Sequence, residues 1–131
     1  METKKELSKK VFSDKEALLK LNFLTLPVVI SEIDKIIFEL SREKTGVIVD
    51  GATVIESGFA KRAEKLVVIK AEKETAVSRI IGRDGIEREA ALARIDAQKP
   101  DLFYEKEASR VIENNGSLEE AVTAFASAVT E

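Results

Sequence analysis

Three short strand-like segments, two of them almost unbroken apolar runs, constrain the fold of this chain more than any other feature. They lie at residues 46–50, 66–69 and 110–113, and segments with helical spacing separate them. A strand buried on both faces of a parallel sheet reads as a continuous apolar run. Strands that alternate with helices predict an α/β fold. We therefore expect a small parallel sheet of about three strands packed with helices.

The segment before the first apolar run is predicted to be helical. Residues 3–12 form a short helix, and Ser13 with Glu16 three residues later matches a capping box that begins a second helix at Lys15. Pro27 is predicted to interrupt that helix and to occupy the first turn of another. Further helices are predicted at 59–64, 73–81, 86–98, 102–108 and, after a capping box of Ser117 with Glu120, through the end of the chain.

Composition excludes several kinds of site. The chain has 131 residues, which suits a single domain over 1–131. It has 21 basic and 24 acidic residues, so no strongly basic face is expected and a nucleic-acid partner is not predicted. Because cysteine and histidine are both absent, no disulfide, thiolate metal site or zinc site is predicted, and no residue is assigned to metal binding. No signal peptide or membrane span is recognisable, so a cytoplasmic protein is expected.

The richest candidate site is the run Arg79-Ile80-Ile81-Gly82-Arg83-Asp84-Gly85, with Arg94 further along the next predicted helix. Guanidinium groups recognise oxyanions, phosphate above all. Arginines on a hinged helix pair are typical of a lid that closes over a nucleotide or phosphoester. The alternative is that Arg79, Arg83 and Arg94 form ordinary surface ion pairs with Asp84, Glu87, Glu89 and Asp96.

Two further positions follow predicted strands. Asp50 ends the first apolar run, and ligands of open α/β sheets bind at that edge, so its carboxylate is placed to hold a metal or a hydroxyl. The alternative is a turn or helix-capping aspartate. Asn114 and Gly116 follow the third run, where the loop of a nucleotide kinase can lie against a purine. The alternative is an ordinary turn before a helix cap.

Taken in order, these segments resemble the dephospho-CoA kinase family of P-loop kinases. The resemblance is found in Val11-Phe12-Ser13-Asp14 through Pro27, in Val49-Asp50 through Glu56-Ser57-Gly58, in Arg79 through Gln98, and in Val111-Ile112-Glu113-Asn114 through Glu120. It implies a helical CoA-substrate-like region at 1–45, an α/β core remnant at 46–72 and 109–131, and lid-like helices at 73–108.

The resemblance also implies a reaction and a set of ligands. The family transfers the γ-phosphate of ATP, with Mg²⁺, to the ribose 3′-hydroxyl of dephospho-CoA, the last step of coenzyme A biosynthesis. By resemblance, Asp50 would lie beside the reacting centre, Arg83 and Arg94 would reach phosphates from the lid, and Asn114 with Gly116 would touch adenine. CoA, dephospho-CoA or an adenine nucleotide are the implied ligands.

The chain resembles only the C-terminal two thirds of the family. Its sequence contains no Gly-x-x-x-x-Gly-Lys-Ser/Thr loop to hold the β- and γ-phosphates and Mg²⁺, and no second strand with the family's aspartate. Leu26, the run 51–55 and Ser109-Arg110 also depart from the family's usual residues. The chain alone is therefore predicted to be inactive, as a pseudoenzyme that retains ligand binding. The alternatives are a non-enzymatic interaction or regulatory protein and a fragment of an active kinase.

The part of the family that this sequence does not resemble includes the central strand of the sheet. In the family, that strand lies between the strands equivalent to 46–50 and 66–70. The two flanking strands could pair directly, a second copy could fill the gap, or a partner could donate the missing strand. A compact three-stranded sheet in a homodimer is the favoured expectation, because exposed apolar strand faces need cover.

Overall fold

The computed structural model describes residues 3–44 and 46–131, which form two units, Met1–Arg62 and Ala63–Glu131. The first unit contains two helices and a short 3₁₀ helix, Phe59–Arg62. The second contains two strands and four helices. The elements are α1 (Lys4–Ser13), α2 (Lys15–Leu40), β1 (Val67–Lys70), α3 (Lys73–Asp84), α4 (Arg88–Asp96), α5 (Asp101–Glu105), β2 (Arg110–Glu113) and α6 (Leu118–Thr130).

The boundary between α1 and α2 differs by one residue from the prediction. Asp14, not Ser13, is the N-cap of α2, because its carboxylate accepts hydrogen bonds from the backbone N–H groups of Glu16 and Ala17 at 3.0 and 3.3 Å. Ser13 instead ends α1, and its hydroxyl donates to the carbonyl of Lys9. The predicted capping box of Ser13 with Glu16 is therefore wrong. Both residues suit an N-cap, and the aspartate has taken that position.

Pro27 does not interrupt the second helix as predicted. Helix α2 continues through it for 26 residues, from Lys15 to Leu40. Proline removes one backbone donor and usually costs about 3 kcal/mol inside a helix. No glycine stands in α2 to end the helix before Pro27, and the apolar residues on both sides continue it. The prediction of two separate helices is wrong because a proline can be tolerated where the flanking residues favour helix.

The sheet of the second unit is parallel but smaller than predicted. Among the described residues it has two strands, β1 and β2, in a register that pairs Val67 with Arg110 and Lys70 with Glu113. The expected third strand at 46–50 is wrong, since that segment has no regular secondary structure and belongs to the first unit. An apolar run becomes a strand only when a neighbouring strand accepts its backbone hydrogen bonds.

The core of the second unit joins the helices to the sheet. Val77 of α3, Ala91 of α4, Ile112 of β2 and Ala128 of α6 are buried. Helix α3 packs against α4, and α6 packs against both strands. The predicted capping box at Ser117 is confirmed, because the Ser117 hydroxyl accepts from the Glu120 N–H and the Glu120 carboxylate accepts from the Ser117 N–H, each at 3.2 Å.

Candidate functional site

A glycine turn sets the geometry of the arginine-bearing helices. Helix α3 ends at Asp84, and Gly85 follows with a φ of 62°, in the left-handed region. Its N–H donates to the carbonyl of Ile81 at 2.9 Å, which closes the last turn of α3. A residue with a side chain rarely adopts this conformation, so glycine suits this position. The chain reverses here, and α4 returns against α3.

The reversal brings two predicted arginines onto one carboxylate. Arg83 donates to both oxygens of Asp84, with Nε at 2.8 Å from Oδ1 and Nη2 at 3.0 Å from Oδ2. Arg94, in the last turn of α4, donates to Oδ2 of the same carboxylate. The side chain of Arg83 is largely exposed, whereas the side chains of Asp84 and Arg94 are 26% and 29% exposed. Two guanidinium groups therefore converge on a single small anionic group at the turn.

The arginines lower the pKa of Asp84. Chiefly through the hydrogen bonds from Arg83, with those from Arg94 added, the pKa of this carboxyl falls to about 2. A depressed pKa stabilises the fold above the ordinary value of about 4, and that contribution is lost as the pH falls from about 5 to about 2. We expect Asp84→Asn to lose less of its free energy of unfolding over this interval than the parent does. Denaturant titrations at a series of pH values measure the free energy of unfolding. The same dependence on pH in the parent and in Asp84→Asn would contradict this prediction.

Arg79 binds the loop that follows β2. Its guanidinium donates to the backbone carbonyls of Asn114 at 2.5 Å and Gly116 at 3.4 Å. The side chain of Asn115 accepts from the N–H of Glu72 at 2.7 Å, just before α3 begins. The loop is thus tied to the N-terminal cap of α3 and to the middle of that helix. Asn114 and Gly116 contribute backbone carbonyls to this contact.

Packing, as well as the predicted turn, favours glycine at position 116. A Cβ atom there would lie 1.9 Å from Oε2 of Glu120, the carboxylate that caps α6. A side chain at 116 would therefore displace the cap.

The structure brings five of the six predicted site residues into the second unit. Arg79 and Arg83 stand one turn apart on α3, so they share a face. Arg94 meets Arg83 at Asp84, while Asn114 and Gly116 meet Arg79. Asp50 belongs instead to the first unit, where it is exposed at the end of the 46–50 segment.

Sequence reasoning missed a second charged cluster, at the carboxyl end of β1. Lys70 donates to Glu105 of α5 at 2.6 Å and lies 3.7 Å from Glu113. The hydrogen bond to Glu105 raises the pKa of Lys70. The available signal was a lysine that ends an otherwise apolar run, at the sheet edge where α/β proteins bind ligands.

Other kinds of site receive no support from the described parts of the chain. In residues 3–44 and 46–131, no three acidic side chains are grouped so that they could hold a metal ion. No helix within those same ranges has the length and apolar character needed to cross a membrane.

The fold and its similarity to a solved structure identify the class of protein. The chain superimposes on TT1252 from Thermus thermophilus with a TM-score of 0.70 at 34% identity, over 95% of this chain and 64% of that one. The small parallel sheet, its helices and this likeness place it among α/β proteins of the P-loop kinase fold. Residues 3–120 match the family model for dephospho-CoA kinase. The chain belongs to the dephospho-CoA kinase family.

Curated relatives agree. The chain is 34% identical over 115 residues to the dephospho-CoA kinase of Syntrophotalea carbinolica, covering 87% of this chain and 54% of the relative. It is 34% identical over 130 residues to that of Thermus thermophilus, covering 98% of this chain and 62% of the relative. The chain thus spans little more than half the length of the curated relatives it matches.

Proposed function

We propose that this chain is the lid and substrate-side portion of a dephospho-CoA kinase, which binds phosphate groups of the family's ligands and transfers none by itself. In this proposal the helical region 1–45 faces the CoA substrate and helices 73–108 form the lid. The ligands are ATP or ADP, dephospho-CoA and CoA.

The convergence of Arg83 and Arg94 on Asp84 supports the proposal most directly. Two guanidinium groups already point at one pair of oxygens, and a phosphate group presents similar oxygens with greater charge. Charge-assisted hydrogen bonds of this kind are about twice as strong as neutral ones. An entering phosphate would replace or join the Asp84 carboxylate as the acceptor, which the exposure of Arg83 permits.

The loop held by Arg79 is the proposed adenine contact. The resemblance assigns the purine contact to Asn114 and Gly116, and Arg79 fixes the backbone of that loop against α3. The Asp50 carboxylate is proposed to lie beside the reacting hydroxyl. The phosphates of ATP would be the groups that the two arginines bind.

A ligand titration tests the proposal. Isothermal calorimetry with dephospho-CoA, CoA, ADP and ATP should detect binding, and a ligand at 100 times its Kd should add about 2.7 kcal/mol to the free energy of unfolding. Arg83→Ala and Arg94→Ala should each weaken binding about 10- to 100-fold, as expected for the loss of charge-assisted hydrogen bonds.

Arg88→Ala is the matched control. Arg88 begins α4 and forms a two-point ion pair with Glu74 of α3, at 3.0 and 2.8 Å. Its loss should leave ligand affinity unchanged. A flat response to all four ligands would refute the proposal and favour a non-enzymatic interaction or regulatory protein. Equal losses in all three variants would show that charge alone, without this geometry, attracts the ligands.

A further inference from the structure

Two side-chain hydrogen bonds tie together the segments that flank β1 and β2. After the strands, Oδ1 of Asn115 accepts from the backbone N–H of Glu72 at 2.7 Å. Before the strands, the Ser109 hydroxyl oxygen accepts from the backbone N–H of Leu66 at 3.1 Å. Each bond joins residues 43 positions apart. Only the first involves the loop that Arg79 holds, so only the first lies beside the candidate site.

Asn115 supplies a hydrogen bond that α3 does not make from its own residues. Glu72 is the N-cap of α3, and its side chain forms no capping hydrogen bond. In a capping box, a Glu or Gln at the third helical position accepts from the N–H of the N-cap residue. That position in α3 is occupied by Thr75, and Asn115 accepts from the Glu72 N–H instead. The start of α3 therefore depends on the loop after β2.

Arg79 holds the same loop from the middle of α3. Its guanidinium donates to the carbonyls of Asn114 and Gly116, which stand on either side of Asn115. Hydrogen bonds from a charged donor are stronger than those between neutral groups. Arg83 stands one turn further along the same helix. One helix thus fixes the loop and also carries an arginine of the proposed phosphate site.

We propose that Asn115 and Arg79 are positioning residues, which hold the loop in the shape that receives the base of a nucleotide. The inference rests on the proposed adenine contact at Asn114 and Gly116. A loop that is already ordered loses less conformational freedom when a ligand binds, so its affinity is higher. Arg79 then acts through the loop and is not a phosphate ligand. Affinity for a ligand with a base depends on both residues, and affinity for bare phosphate on neither.

Calorimetry with ADP and with pyrophosphate, which has two linked phosphates and no base, tests the inference. Asn115→Ala removes the acceptor, and Arg79→Lys keeps the charge but loses the planar two-point contact. Each should weaken ADP binding about fivefold or more and leave pyrophosphate binding unchanged. Asn115→Asp keeps an acceptor oxygen and should restore ADP binding. The Glu72 amide should exchange its hydrogen faster in Asn115→Ala than in the parent.

Ser109→Ala is the matched control, because it removes the corresponding bond to Leu66 at the other end of the strands. It should bind both ligands as the parent does. Unchanged ADP affinity in Asn115→Ala would overturn the inference, as would a loss that Asn115→Asp does not restore or that Ser109→Ala shares. Weaker pyrophosphate binding in Arg79→Lys would identify Arg79 as a phosphate ligand and overturn it too. Each of these results leaves the proposed function standing, whereas a parent chain that binds neither ligand would refute both.

Discussion

The purified chain should not phosphorylate dephospho-CoA in the presence of ATP and Mg²⁺. Its sequence contains no Gly-x-x-x-x-Gly-Lys-Ser/Thr loop, so the backbone amides and lysine that would hold the β- and γ-phosphates are missing from it. Removing a single preorganised donor typically costs about 10²–10³ in kcat, so removing several should cost at least about 10⁴. Coupled detection of ADP and chromatography of the product measure the rate against a blank.

The dephospho-CoA kinase of Thermus thermophilus, assayed in parallel, is the positive control. Product formation by this chain above the blank would contradict the prediction if Arg83→Ala, purified identically, abolished it. Turnover that persists unchanged in Arg83→Ala would instead identify a contaminating kinase, because the proposed phosphate contact would then play no part in it. The test therefore separates catalysis by this chain from catalysis by an impurity.

Local signals predicted the second unit well. The apolar runs at 66–69 and 110–113 became β1 and β2, and the capping box at Ser117 began α6 as expected. The capping box depends on residues three positions apart, and each strand depends on pairing with the other. In contrast, segment 46–50 has the composition of a strand but no neighbour among the described strands, so its composition alone misled the prediction.

The sequence predicted which residues belong to the candidate site but not how those residues contact one another. Arg83 and Arg94 were recognisable from residue type, and Asp84 was a possible partner. That both arginines share this one carboxylate depends on how α4 returns over α3 after the left-handed turn at Gly85. Sequence spacing does not fix the angle between two helices. The same limit hid the contact of Arg79 with carbonyls 35 and 37 residues away.

Val77→Asp should strongly destabilise the second unit. Val77 is 1% exposed on α3, the helix that bears Arg79 and Arg83. An unpaired carboxylate in such a position costs about 3–5 kcal/mol, because burial removes its hydration. Native domains have only about 0.05–0.15 kcal/mol of stability per residue, so most of the margin would be lost. Urea titration followed by circular dichroism measures the change in the free energy of unfolding.

Val122→Asp is the matched control, because it introduces the same charge at a valine that is 58% exposed on α6. A surface substitution of this kind usually changes the free energy of unfolding by less than about 0.5 kcal/mol. Val77→Ala gives the intermediate case, with a loss of about 1–3 kcal/mol from the apolar contacts and the cavity left behind. Equal midpoints for Val77→Asp and Val122→Asp would show that α3 does not pack as described. Since α3 also positions Arg83 and Asp84 for Arg94, Val77→Asp should lose the proposed phosphate binding together with the fold, whereas Val122→Asp should keep the fold and leave that proposed binding unchanged.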